Sequence, residues 1–196
     1  MAGQVPEEMN SIRPATGHTS LDKRAPSPVP VLLCGDPLDC LGQLVVHDSE
    51  ARDALERHRA RAIVIGIHIP DTDHSRKAVK YRLRNAHDTV NTHLRRHPLV
   101  RHIIYIVHPD SGQGAPDTAV RLLSATVGVH HAEIEMRHGR DVCITGIVTS
   151  VHTSPEALTE RVTGRIKTTP IEGSYATTWD EIADRPLATA AAEALL

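Results

Sequence analysis

Histidine and aspartate side chains are concentrated in one short segment, "HIPDTDH", which directly follows an apolar run of the sequence. The segment contains His68, Asp71, Asp73 and His74. Because imidazoles and carboxylates bind metal ions and transfer protons, a loop of this composition could hold a metal ion or a polar ligand. A solvated turn is the alternative, since Asp is also one of the commonest turn residues.

The other potential metal ligands lack the spacing of a metal site. His130 and His131 are adjacent, and neighbouring residues on a helix point about 100° apart, so they seldom bind one ion together. Cys34 and Cys40 do not have a common zinc-ligand spacing. We therefore predict solvated histidines, buried thiols in a reducing compartment and no metal site among these residues.

A short apolar run leads into a turn with two glycines in "VPVLLCGDPLDCLG", residues 29–42. Phosphate-binding loops begin in this way, with glycines that let the backbone approach the phosphates. Between Gly35 and Gly42, however, Asp36 places a carboxylate where it would repel a diphosphate, and Pro37 has no amide to donate. The loop therefore predicts weak pyrophosphate binding at most.

A strongly basic helical segment follows the Asp/His loop. Residues 76–96 contain seven Lys and Arg side chains and a single acid, Asp88. Such a segment could attract phosphate or an acidic partner. The alternative is an ordinary solvated helix face.

The composition describes one globular chain with an aliphatic core. Its 196 residues are 40% hydrophobic, with no Phe, one Trp and three Tyr. The formal net charge of −2 and the scarcity of aromatic residues argue against nucleic-acid binding. We find neither a signal-peptide pattern nor an apolar stretch near the roughly 20 residues that span a bilayer, so we expect a cytoplasmic protein without a membrane segment.

The chain divides into a polar arm and one domain. Residues 1–28 are rich in Pro, Ser, Thr and charge and predict a disordered arm, and residues 29–196 predict a single domain. Apolar runs typical of strands occur at residues 29–35, 44–48, 61–69, 100–108 and 141–148. Helical patterns occur between or after them at residues 49–59, 75–97, 117–137, 155–165 and 178–196, the last beginning with a Thr-x-x-Glu capping box.

Buried strands that alternate with helices predict βαβ units. The predicted fold is therefore α/β: a doubly wound, Rossmann-like, mostly parallel sheet with helices on both faces. Ligands of such sheets bind beyond the carboxyl ends of the strands, where the strand order reverses. We expect the loop at residues 35–42 to lie there.

Three stretches, in this order, resemble the short-chain dehydrogenase/reductase family. "NAHDTVNTHLRRHPLVRHIIYIVHPDSG" resembles its long helix and the strand that ends in serines, and "EMRHGRDVCITGIV" resembles the stretch entering its sixth strand. "TTPIEGSYATTWDEIADRPLA" is similar to its closing helix. The resemblance runs from about Val29 to the C-terminus.

The resemblance implies NAD(P) as cofactor and hydride transfer assisted by Asn, Ser, Tyr and Lys. Residue by residue, Asn85 and Ser111 correspond to the family's catalytic Asn and Ser. Gly35, Asp36 and Gly42 fall in its cofactor loop. These five residues are the candidate site.

The family's catalytic Tyr and Lys are missing. In the family they lie four residues apart on the helix that begins here near Asp117, so that the ammonium lowers the pKa of the phenol. Between Tyr105 and Lys167 the sequence contains neither Tyr nor Lys. The chain also looks short by one βα unit. It therefore resembles a reduced, degenerate member of the family.

Three kinds of function are compatible with these observations. The first is a non-catalytic subunit, without cofactor, that forms homo- or hetero-oligomers with a protein of this family through helices 75–97 and 117–137. In that case Val79, Leu83, Ala86 and Val90 cannot all face the sheet. The second is an NAD(P)-dependent oxidoreductase with atypical machinery, and the third is a regulatory binding module that uses the basic helix or the Asp/His loop.

Overall fold

A computed structural model of the chain describes residues 30–44, 60–73, 75–110 and 116–194. The strands are β1 (Val31–Gly35), β2 (Ala62–Ile69), β3 (His102–Pro109), β4 (Cys143–Val148) and β5 (Gly173–Thr178). The helices are α1 (Arg76–Leu94), α2 (Pro116–His138), α3 (Pro155–Lys167), α4 (Trp179–Ile182) and α5 (Leu187–Ala194), with 3-10 turns at Asp39–Leu41 and Asp71–Asp73. The predicted arm, the helix at 49–59 and most of the strand at 44–48 lie outside the described residues.

The five strands form one parallel sheet in the order β1-β2-β3-β4-β5. This confirms the predicted α/β class, a parallel, Rossmann-like sheet with helices on both faces. The order of the described strands follows the chain without reversing. A ligand crevice at a reversal of strand order, as we expected, therefore has no counterpart among these strands.

Side chains of the central strands alternate between two hydrophobic cores. On β2, Ile63 and Ile65 belong to the core beneath α1 and α2, whereas Ala62 and Val64 belong to the core beneath α3, α4 and α5. We call these the first and second faces of the sheet. Because both faces are covered, the central strands are apolar at almost every position rather than at every second one.

The helices change faces without a change in strand order. Helices α1 and α2 connect β2 to β3 and β3 to β4 across the first face, whereas α3 connects β4 to β5 across the second face. All three connections step in the same direction along the sheet. The β4–α3–β5 crossover therefore has the opposite hand to the other two, although parallel crossovers are almost always right-handed.

Helix α1 packs on the first face with the predicted apolar stripe. Its start is capped by the Ser75 hydroxyl, which accepts a hydrogen bond from the Ala78 amide at 3.2 Å. Every residue of the stripe that we expected to divide between the sheet and a partner is buried in this core: Val79, Leu83, Ala86 and Val90. That expectation does not hold, because the whole apolar stripe of α1 packs on the sheet.

The C-terminal segment is more divided than the single helix that the sequence predicts. Residues 173–178 form the edge strand β5, and α4 and α5 follow on either side of a break at Pro186. The predicted capping box at the start of α4 is confirmed, with Glu181 accepting a hydrogen bond from the Thr178 amide at 3.1 Å. Pro186 ends the pattern because its ring and missing amide disfavour a continuous helix.

A buried imidazole cluster lies between α1, α2 and β3. His130 is fully buried; its Nδ1 hydrogen-bonds with the Tyr105 hydroxyl, and its ring centre lies 3.6 Å from that of His87. Burial, and then the neighbouring His87, lower the pKa of His130 to about 3. Burial also lowers the pKa of His87, although Glu133 lies 3.0 Å from its Nε2 and opposes that shift.

A second polar cluster is buried at the start of β3 and β4. Arg165 on α3 is 1% exposed, and its Nη2 lies 2.6 Å from the Cys143 Sγ. Burial, and then the Arg165 charge, lower the pKa of His102 to about 4. His102 and His130 are therefore both held neutral in the folded protein.

Gly146 and Gly164 give a matched test of packing, because an added Cβ would be crowded at one position and unobstructed at the other. A Cβ at Gly146 on β4 would lie 2.7 Å from Leu123 of α2, whereas a Cβ at Gly164 on α3 would meet no atom within 4 Å. We expect Gly146→Ala to lower the free energy of unfolding by about 1–3 kcal/mol through overpacking. Gly164→Ala should raise it by about 0.5–1 kcal/mol through helix propensity. Urea unfolding of both variants measures whether the free energy of unfolding falls in the first and rises in the second.

The neutral buried histidines predict acid sensitivity. The unfolded chain binds their protons near pH 6.5 and the folded chain only near pH 3 to 4. Stability is therefore fully present above pH 6.5 and falls as the pH drops toward 4, by up to about 1.4 kcal/mol per pH unit for each histidine. His130→Gln should flatten this slope, measured by urea unfolding at several pH values. The exposed His152→Gln variant should retain it, and an unchanged slope in His130→Gln would contradict the assignment.

Candidate functional site

Strand β1 ends in a turn that presses its backbone against β2. Gly35 has a φ of +85°, and a Cβ there would lie 2.3 Å from the Gly66 carbonyl oxygen. The next amide, of Asp36, donates to the same oxygen at 2.9 Å. Gly35 is therefore required by the close approach of two backbones and not only by a loop conformation.

The loop after β1 folds back on itself instead of opening toward a ligand. The Gly42 amide donates to the Asp39 carbonyl at 3.1 Å, and the Leu41 amide donates to the Leu38 carbonyl at 2.9 Å. Leu38 and Leu41 are buried in the second core. A dinucleotide needs free amides at a helix N-terminus for its pyrophosphate. The described part of this loop, with a carboxylate at Asp36, does not fit NAD(P).

The carboxyl ends of β2 and β3 bring a histidine and an aspartate together. The His68 Nε2 lies 2.5 Å from the Asp110 Oδ1, and the Asp71 amide donates to Asp110 Oδ2 at 3.3 Å. The hydrogen bond from His68 lowers the pKa of the Asp110 carboxyl. The His68 amide also donates to Asp36 Oδ2 at 2.8 Å, which ties this edge to the end of β1.

A second imidazole of defined tautomer lies beside this pair. Thr149 donates its hydroxyl proton to the Val107 carbonyl at 3.1 Å, so it accepts from the His108 Nδ1 at 2.8 Å. Proton-bearing Nδ1 leaves the His108 Nε2 as a base. Burial, and then the charge of His68, lower the pKa of His108. The edge can therefore accept and donate protons.

Two residues of the predicted Asp/His loop contribute to this edge. His68 and Asp71 both contact Asp110, whereas His74 lies outside the described residues. In the described ranges, the structure forms no group of three or more His, Cys, Asp or Glu side chains that could hold a metal ion.

A small cavity lies between the end of β1, β2 and the middle of α1. Its volume is about 160 Å³, and Gly35, Asp36 and Asn85 all line it. The structure thus brings together three of the five candidate residues. Gly42 does not line this cavity, and Ser111 lies outside the described residues.

The sequence analysis missed two further cavity residues, Arg82 and Thr89. They lie one turn on either side of Asn85, and a helix places residues three or four apart on one face. That spacing was the available signal. It could not be used without knowing which face of α1 meets the end of β1.

The outer surface of α2 carries exposed apolar side chains beside its polar ones. Val129 is 67% exposed and Met136 is 80% exposed. A groove of about 260 Å³ runs between α2 and α1, with Val129 on one side and Lys80 and Arg84 on the other. The opposite side of α2 packs on the sheet, so this helix is apolar on two sides.

Comparisons with known proteins do not assign the chain to a family: no family profile, no curated protein and no solved structure matches it. Over the part of the chain that the structure describes, no helix combines the length and apolar character required to cross a membrane.

The hydrogen bond between His68 and Asp110 predicts a measurable titration change. Replacing His68 by Phe removes the hydrogen bond that most stabilises the Asp110 carboxylate, so the pKa of Asp110 should rise toward the ordinary value of about 3.9. A ¹³C NMR titration of the side-chain carboxyl group measures it. His108→Gln, which removes only a weaker contribution, should cause a smaller rise; an equal rise in both variants would refute the pairing.

Proposed function

We propose that the chain is a non-catalytic subunit, similar in fold plan to a short-chain dehydrogenase, that pairs with a second copy of itself through α2. The observation that carries the proposal is the apolar stripe on the outer surface of α2. The two other features that support it are the closed loop after β1 and the missing catalytic pair.

The stripe has the spacing of a helix-pairing surface. Its members are three and four residues apart in alternation: Leu122, Ala125, Val129, Ala132 and Met136. Leu122 is buried in the first core, and the following four residues are exposed. Alternating steps of three and four give the 3.5-residue period of paired helices. The four apolar residues exposed to water between positions 125 and 136 favour a partner helix.

A second copy of α2 is a suitable partner in charge as well as in shape. The stripe contains no charged residue, so two copies can face each other without burying like charges. In an antiparallel pair centred on Val129, position 125 of one copy faces position 133 of the other. Lys80 and Arg84, which lie beside Ala125 in the groove, then approach Glu133 of the second copy.

Two features of the chain argue against hydride chemistry of the usual kind: the composition of α2 and the loop after β1. Helix α2 supplies no Tyr and no Lys, so it has no phenol activated by an ammonium. The Leu41 and Gly42 amides donate within the loop, the Asp36 amide donates to Gly66 on β2, and Asp36 adds a negative charge there. Together these features favour a non-catalytic subunit that functions by assembly, rather than an active reductase.

Oligomeric state is the direct test. We expect sedimentation velocity and light scattering of the full chain to give about twice the 21.4 kDa mass of one chain. The double variant Val129→Glu, Met136→Glu should weaken the dimer at least about a hundredfold, because burying unpaired carboxylates costs several kcal/mol.

The matched control is Val151→Glu, which changes a 58% exposed valine that follows β4 and is not part of α2. It should remain a dimer. Circular dichroism melts of all variants separate lost pairing from lost folding. A wild-type chain that stays monomeric at high micromolar concentration, or a dimer that the α2 variant leaves intact, would refute the proposal.

A further inference from the structure

The cavity beside β1 carries opposite charges that do not pair with each other. Asp36 lines it from the end of β1, and Arg82 lines it from α1. No ion pair joins the two side chains, and Arg82 makes no hydrogen bond or ion pair with any other described residue. An arginine and an aspartate that line one cavity without pairing with each other suit a ligand with charges of both signs.

The neutral groups of the cavity complement this arrangement. Asn85 offers an amide donor and an acceptor, and Thr89 lies one turn further along the same face of α1. Thr89 donates its own hydroxyl proton to the Asn85 carbonyl at 3.0 Å, so its oxygen can accept. Polar residues of α1 and the aspartate that follows β1 therefore line the same space.

The remaining walls limit the size of a ligand. Ile65, Ile67 and Ala86 provide apolar surface, and Gly35 and Gly66 bring bare backbone to the floor. The volume of about 160 Å³ is well below the roughly 300–1,000 Å³ of pockets for larger ligands. A compact molecule fits, and a dinucleotide does not.

We infer that this cavity is a binding site for a small zwitterion of the α-amino-acid class. The ligand carboxylate pairs with the Arg82 guanidinium, the ligand ammonium pairs with the Asp36 carboxylate, and a short side chain lies against Ala86 and Ile67. Asn85 completes the polar contacts. The site is independent of the α2 surface and of pairing.

Binding is tested on the full chain with L-alanine as the probe. The matched probes are propionate, which lacks the ammonium, and alaninamide, which lacks the carboxylate. We expect L-alanine at millimolar concentration to shift the ¹H–¹⁵N NMR signals of Gly35 and Gly66 at the cavity floor. Both matched probes should bind at least about tenfold more weakly, because each loses one charged hydrogen-bonding group.

Two variants assign the contacts. Arg82→Met and Asp36→Asn should each weaken L-alanine binding about ten- to hundredfold; Asn at position 36 keeps an acceptor for the His68 amide. The control is Arg76→Met, an exposed arginine of the same helix that does not line the cavity, and it should bind as the wild type does. Propionate binding as tightly as L-alanine, or no shift with any of the three probes, would overturn the assignment.

Discussion

The fold depends on burying the sheet on both faces. The central strands carry aliphatic side chains at nearly every position, with those of β2 and β3 fully buried, so neither face can be left to water. Helices α1 and α2 meet this requirement on the first face, and α3, α4 and α5 meet it on the second. Because the chain has no Phe, this burial is achieved mainly with Ile, Val, Leu and Ala. In a close-packed core of this kind, even one added Cβ, as at Gly146, would collide with a neighbouring side chain.

The sequence predicts the parts of the fold that local pattern determines. Continuous apolar runs predict β2, β3 and β4, and the three-and-four spacing with Ser75 as cap predicts α1. Strand β5 is not predicted, because "GSYATT" is an edge strand with small and polar residues and only a partly buried face. Strand order and the hand of a crossover are also beyond local pattern, since both depend on which helix covers which face.

Local sequence pattern is equally limited in predicting the candidate site, because the site is assembled by tertiary contacts. Asn85 and the Gly35–Asp36 turn are separated by about fifty residues, and only the parallel pairing of β1 with β2 beneath α1 brings them to one cavity. The pairing of His68 with Asp110 likewise follows from the register that sets His68 beside His108. The spacing of Arg82 from Asn85 is a weak signal, because it does not say which face of α1 meets β1. In a basic helix, the arginine that lines the cavity cannot be distinguished from its neighbours by sequence.

The opposite hand of the β4–α3–β5 crossover determines where neighbouring helices separate. In doubly wound sheets, helices diverge to opposite faces at the midpoint of the sheet and leave a cleft there. Among the described helices that connect strands, α1 and α2 lie together over the first face and α3 lies over the second, so the divergence occurs at β4. The cavity beside β1 lies toward the other edge of the sheet, where the outermost described strand is only partly covered. In this fold the cavity and the point of helix divergence are therefore separate features.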